Sequence, residues 1–239
     1  MTGTDLRLGN PIWHAALTRQ QHLAYGEGLA RRFYPDVVPL AAIENHSAEA
    51  MAALTALVSP GERVWLFEEP PALDPAQWRE SRRIAGYQML CSALPPEATH
   101  NAAATASVLL DPISDAPAME ALKAIAFPGF FGPRTPQMGR YRGICIDGQL
   151  VAMAGERLAP FDESGRGYRE VSAVCTHPQH RGRGYAERLT REATAAILAD
   201  GDMPFLHVAG GNERAISVYR RLGYAHPSDV VFVELTRVG

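Results

Sequence analysis

The sequence predicts a mixed α/β (α+β) fold, a mostly antiparallel sheet flanked by helices over residues 101–239, with a second, smaller α/β half over residues 1–100. Three observations carry this reading. A run rich in β-branched residues, Glu170 to Thr176, stops at His177-Pro178, turns through Gly182 and Gly184, and continues as an amphipathic helix. Two strands, Tyr141 to Ile146 and Gln149 to Arg157, are joined by Asp147-Gly148, a two-residue hairpin signal that makes them antiparallel neighbours. The proline-rich polar stretch Leu94 to Asn101 separates them from an earlier set of short strands and helices.

The chain has 239 residues, 46% hydrophobic and 21% charged, enough to bury a core in one large or two small domains. A formal charge of −3 and a pI near 6.2 give no reason to expect nucleic acid or an anionic membrane as partner. No stretch approaches the ~20 apolar residues that span a bilayer, and Met1 to Arg7 lacks a signal pattern, so a cytoplasmic location is expected. Cys91, Cys145 and Cys175 form no C-x-x-C pair and sit in apolar or strand-like segments. They read as reduced core residues, and no metal is expected.

In the first hundred residues, Asn10-Pro11-Ile12-Trp13 opens a helical stretch to His22, and Leu29 to Phe33 and Val37 to Ile43 read as short strands. Ser47 is placed to cap an alanine-rich helix to about Val58, and Pro60-Gly61 is a turn. Arg63 to Glu68 alternates as a strand, Pro70-Pro71 ends it, and Tyr87 to Leu94 is another apolar run closed by Pro95-Pro96. His14 and His22 have no cysteine or carboxylate cluster beside them, and Trp13, Trp65 and Trp78 read as packing residues.

The second segment starts with a strand over Ala106 to Leu110 and a helix in which Met119, Leu122, Lys123 and Ala126 recur at helical spacing. Pro128 to Pro136 is too rich in proline and glycine to continue it, so the next loop is open and carries Phe130 and Phe131. After the hairpin, Pro160 to Gly167 leads to the Glu170 strand. Ala186, Leu189, Ala193, Ala196 and Ile197 then mark a helix to about Asp200-Gly201, Phe205 to Val208 a strand, and Val230 to Thr236 a last strand.

Glycines at 182 and 184 let the backbone turn tightly and approach a ligand, and the unpaired N–H groups of the helix's first turn then face it. Such a helix start attracts an anion, above all a phosphate or pyrophosphate, and Arg181 and Arg183 add positive charge. A tight turn with solvated arginines is the plainer alternative. A Rossmann fingerprint is a poor fit because Glu187 stands where its third small residue belongs, and a Walker loop would need Gly-Lys-Ser/Thr.

Gln179, Gly182 and Gly184 match the Gln/Arg-x-x-Gly-x-Gly/Ala signature of the GNAT superfamily of acyl-CoA-dependent N-acyltransferases, which this segment resembles. A second segment, Asn212 to Tyr224, resembles the Asn-x-x-Ala-x-x-x-Tyr-x-x-x-Gly-Phe/Tyr helix of the same superfamily. The resemblance implies an N-acetyltransferase that uses acetyl-CoA as co-substrate and acts on a small-molecule amine or peptide acceptor. It also suggests that the N-terminal half is a degenerate GNAT-like unit, and it leaves the oligomeric state open. The pantetheine arm is expected along Val174, Cys175 and Thr176 through backbone groups, and the pyrophosphate on the N–H groups of Arg181, Gly182, Arg183, Gly184, Tyr185 and Ala186. Asn212 is expected at the pantetheine and Tyr219, two turns on, at the sulfur as general acid, with a buried packing tyrosine as the alternative.

For the base, the resemblance points to Glu170, with Glu156 as rival and a solvated strand end as the alternative for each. His177 and His207 are expected to line the site. Phe130 and Phe131 form either an apolar acceptor wall or a plug beneath the loop. The chain departs from the family pattern at Gly223 to Asp229, which leaves room for only a stub before the last strand, so that wall is open to the N-terminal half. A catalytically silent acyl-CoA-binding module and a nucleotide-binding regulatory protein are the competing functional classes.

Overall fold

The computed structural model describes residues 6–96, 105–127, 129–161 and 167–239. Its first helices are α1 (Leu6–Gly9) and α2 (Pro11–Leu17); Asn10 caps α2 by accepting from the Trp13 N–H, and Pro11 presets the first turn. The helix ends at Leu17, earlier than the expected His22. A small sheet of β1 (Ala24–Tyr25), β2 (Ala30–Phe33) and β3 (Ala41–Ile43) comes next, then α3 (Ala48–Leu57), capped by Ser47. β4 (Arg63–Leu66) and β5 (Trp78–Leu90) complete the first segment. The rest contributes β6 (Ser107–Leu110), α4 (Ala116–Ala126), β7 (Tyr141–Ile146), β8 (Gln149–Glu156), β9 (Tyr168–Thr176), α5 (Tyr185–Ala199), β10 (Met203–Ala209), α6 (Glu213–Arg221) and β11 (Ala225–Arg237).

Eight of these strands form one sheet in the order β4-β11-β5-β10-β9-β8-β7-β6. Every neighbouring pair is antiparallel except β9 and β10. The β7–β8 hairpin turns through Asp147 (φ 49°) and Gly148 (φ 78°), the two positive values that its turn type requires. Gly223 lies just ahead of β11, so no separate strand precedes the last one. The place between β10 and β11 is taken by β5, from the first segment, antiparallel to both. Residues 1–100 and 101–239 therefore build the large sheet together, and of the stretch Leu94 to Asn101 expected between them, residues 97–101 lie outside the described residues.

Only the last part of β5 was legible. Its first part, Arg79-Glu80-Ser81-Arg82-Arg83, is exposed and mostly charged, but its backbone is paired along β11 while Arg83 bridges to Glu69 and Glu80. Backbone pairing to a partner strand, and not side-chain burial, makes this part a strand.

The sheet is covered on both faces. Met119, Leu122 and Ala126 of α4 pack with Tyr141, Met153 and Cys175. Leu189 of α5 packs with Ile144, Val151 and Ala154, and Ala193 and Ile197 pack with Val171. Each fully buried Leu or Ile here contributes roughly 1.5–3 kcal/mol. Ile12, Trp13, Phe33 and Phe67 of the first segment join one cluster with Tyr168, Phe205 and Phe232. No helix among the described residues is long and apolar enough to cross a membrane.

Candidate functional site

The site forms where two parallel strands part. β9 and β10 pair only at Tyr168, Arg169 and Glu170, against Met203, Pro204 and Phe205. Beyond that point β10 stays with β5 as far as Ala209, and β9 continues to Thr176 paired only with β8. A bulge, with Ala173 and Val174 facing the single residue Ala154, bends β9 further, and Ala173 adopts φ 53°, unusual for a residue with a side chain. The edge of Val171 to Cys175 facing β10 is left to a cleft of about 960 Å³.

At the end of that edge, Gly182 (φ 80°) and Gly184 (φ 77°) make the expected bend, and Gly184 is the N-cap of α5. No side chain caps the first turn of α5, and a Cβ placed on either glycine would meet open space. The amides there are thus free for an outside acceptor. Arg181 is pinned: its Nη2 donates to the Ala126 carbonyl (2.8 Å) and its Nε to that of Thr176 (3.4 Å), tying the loop to α4. Across the mouth, Arg221 of α6 reaches Glu187 of α5 at 2.5 Å.

Of the expected residues, Phe130, Phe131, Val174, Cys175, Thr176, Arg181 to Ala186, Asn212 and Tyr219 all line this cleft. Tyr219 is half-buried, its ring centroid 6.0 Å from that of Tyr224, and its hydroxyl has no hydrogen-bond partner among the described residues. Burial, and then the negative charge of Glu170, push its pKa up to about 12, so it is a proton donor at neutral pH. Asn212 needs correction. It is not on the helix face but is the N-cap of α6, its Oδ1 accepting from the Ala215 N–H at 3.2 Å, which leaves only the Nδ2 donors for a ligand. The two phenylalanines divide the expected alternatives: Phe130 is exposed at the rim, while Phe131 is buried, edge-on to Tyr141 at 5.8 Å.

Neither carboxylate expected as a base lies on the cleft wall. Glu170 is 1% exposed behind Arg157 and His207; Arg157 donates through Nε (2.9 Å) and Nη2 (2.5 Å), and His207 Nδ1 lies at 2.8 Å. Burial alone would raise its pKa, but Arg157 and then His207 outweigh that and hold it down to about 2. Such a carboxylate is a weak base with its oxygens already engaged. The structure makes it a residue that positions Arg157 and His207. Glu156 is likewise buried, held by Arg140 (2.6 Å) and Arg169 (3.0 Å). Of the expected histidines, His207 lines the cleft, whereas His177 does not and accepts from the Gln179 N–H.

Glu170→Ala is expected to cost roughly 3–5 kcal/mol of stability at pH 7, because it strands the Arg157 charge. A lowered pKa stabilises the fold above the ordinary carboxylate range, so the gap to wild type should narrow as pH falls from about 5 towards 2. Equal urea midpoints at pH 7 would show that the carboxylate does not hold the cluster.

Arg157, Lys123 and Tyr141, together with Trp65, Phe67 and Ile84 from the first segment, complete the walls; Trp65 was read only as packing and Lys123 only as part of its helix, and none was expected at the site. Isolated in the chain and gathered only by the sheet, they carry no motif.

Comparison with known proteins accords with this geometry. Residues 141–233 match the family described as FR47-like protein. Over 98% of this chain and 100% of the other, the fold superposes with a TM-score of 0.85 and 33% identity on a protein from Novosphingobium aromaticivorans DSM 12444 assigned as an acetyltransferase of the GNAT family. The chain belongs to the GNAT family. Among its relatives, a GCN5-related N-acetyltransferase from Kribbella flavida shares the GNAT fold with a TM-score of 0.62 at 20% identity, over 100% of this chain and 97% of that one. No match was found among curated proteins. In this GNAT chain both sequence motifs fall within the matched region and line the cleft.

Proposed function

We propose that the protein transfers an acetyl group from acetyl-CoA to a primary amine by direct attack. One observation carries the reading: a strand edge freed by the β9–β10 split runs into an uncapped, glycine-hinged helix start, with an unpartnered phenol in the same cleft. The freed edge suits the amides of a pantetheine arm, the helix start a diphosphate, and the Tyr219 hydroxyl a departing thiolate. Backbone groups of Val174, Cys175 and Thr176 hold the arm, and those of Arg181 to Ala186 hold the diphosphate. The neutral amine attacks the thioester carbonyl, the C–S bond breaks as Tyr219 donates its proton to the sulfur, and the proton then shed by the acylated nitrogen returns through water to the tyrosinate, leaving amide, free thiol and phenol.

Glu170 is not assigned the base. The amine loses its proton to solvent before attack, so the pH at which kcat/KM rises should move with the pKa of the acceptor amine. A rise fixed at one pH for amines of different pKa would identify an enzyme base instead. The reading itself is tested by calorimetry with coenzyme A and by thiol release from acetyl-CoA across a broad amine panel. Binding without thiol release from any amine would leave a silent acyl-CoA module, and preference for NAD or ATP over coenzyme A would overturn the assignment of the glycine loop.

A further inference from the structure

The acceptor side of the cleft has a definite chemistry. Arg157 is held by Glu170 through Nε and Nη2, but it also lines the cleft, with 22% of its side chain exposed, and its Nη1 has no partner among the described residues. Tyr141 lines the same wall, and its hydroxyl likewise has no hydrogen-bond partner among the described residues. Lys123, buried on α4, gives one N–H to the Phe127 carbonyl (2.6 Å) and has no other hydrogen-bond partner among the described residues. Lys123 and Arg157 thus both line the cleft, while Glu170, which holds Arg157, lies behind the wall, and burial and then the charge of Arg157 lower the Lys123 pKa. The wall is one negative charge short.

Around it the lining is apolar. Phe67 lies 5.1 Å beneath the Arg157 guanidinium, and Trp65, Ile84, Phe131 and Phe232 extend that surface. Among the described residues the only carboxylate on the cleft wall is Glu187, already engaged by Arg221 at the mouth. Nothing described there would grip a second ammonium.

We propose that the acceptor is an amino acid, a monoamine bearing one carboxylate and an apolar or aromatic body, with Arg157 and Tyr141 binding its carboxylate. This rests on the transferase reading. A carboxylate supplies the missing charge and accepts the unused donors of Arg157, Tyr141 and Lys123, while Phe67, Trp65 and Phe131 take the body. Polyamines, aminosugars and basic peptides bring positive charge to a wall that lacks a counter-charge.

The test measures thiol release from acetyl-CoA with L-phenylalanine, L-phenylalaninamide, 2-phenylethylamine and spermidine, and with L-leucine and L-leucinamide. At about pH 9.5 the differences in amine protonation stay within about tenfold, smaller than the effect sought. The acids should exceed their amides and the decarboxylated amine in kcat/KM by about 100-fold, because a site built to bind a polar group rejects the analogue lacking it. Arg157→Lys keeps a cation opposite Glu170 but loses the planar fork, and the acid-to-amide ratio should fall towards one through KM. Amides, phenylethylamine or spermidine used as well as the acids, or an unchanged ratio in Arg157→Lys, would overturn the inference while leaving the transferase reading intact. No thiol from any of these amines, with thiol released from another amine of the broad panel, would overturn the inference alone, and none from the whole panel, with coenzyme A still bound, would overturn both.

Discussion

Gly184→Asp is expected to weaken coenzyme A binding by about 100-fold or more, since like charges brought together at a binding site cost several kcal/mol. The glycine stands at φ 77°, and a Cβ there meets open space, so the free protein bears backbone strain but no collision. That strain is roughly 1–2 kcal/mol for a residue with a side chain. A carboxylate at the α5 N-cap would meet the diphosphate and satisfy the same amides itself. Gly184→Ala carries the strain without the charge, so the difference in Kd between the two variants, measured by calorimetry, isolates the electrostatic part. Equal affinities for Ala and Asp variants would remove the helix start from the binding site.

Tyr219→Phe is expected to lower kcat by about 100-fold or more, the usual scale for losing a positioned general acid, with little change in coenzyme A affinity. The ring stays, and with it the packing on Tyr224, so stability should change little. Because the phenol pKa is pushed up to about 12, wild-type turnover should show no fall from its ionisation below about pH 10. Single-turnover thiol release separates chemistry from product departure. A Phe variant with wild-type kcat would make Tyr219 a packing residue.

The wall proposed for coenzyme A was legible as backbone because short, local sequence features specify it. Gly182 and Gly184 encode a bend, the periodicity of Ala186 to Ile197 encodes the helix beyond it, and both survived into the structure. Tyr219, which lines the cleft, was named through the family resemblance of Asn212 to Tyr224, although Asn212 gives its Oδ1 to the helix cap and keeps only Nδ2 for a ligand. The acceptor side was not legible. Arg157, Tyr141, Lys123 and Phe67 stand far apart in sequence, and only strand pairing brings them onto one wall. Glu170 misled for a related reason: its place at the start of the central strand suggested an open carboxylate, and only the packed structure revealed Arg157 and His207 upon it.

By itself, the sequence determined the order of strand, glycine bend and helix, and the hairpin at Asp147-Gly148. These depend on backbone conformations that a few neighbouring residues dictate. The tertiary structure alone decided that β5 closes the sheet between β10 and β11, that β9 and β10 part after Glu170, and that an arginine faces the cleft with its partner carboxylate hidden behind. Those features come from pairing and burial between distant segments, which no local pattern records.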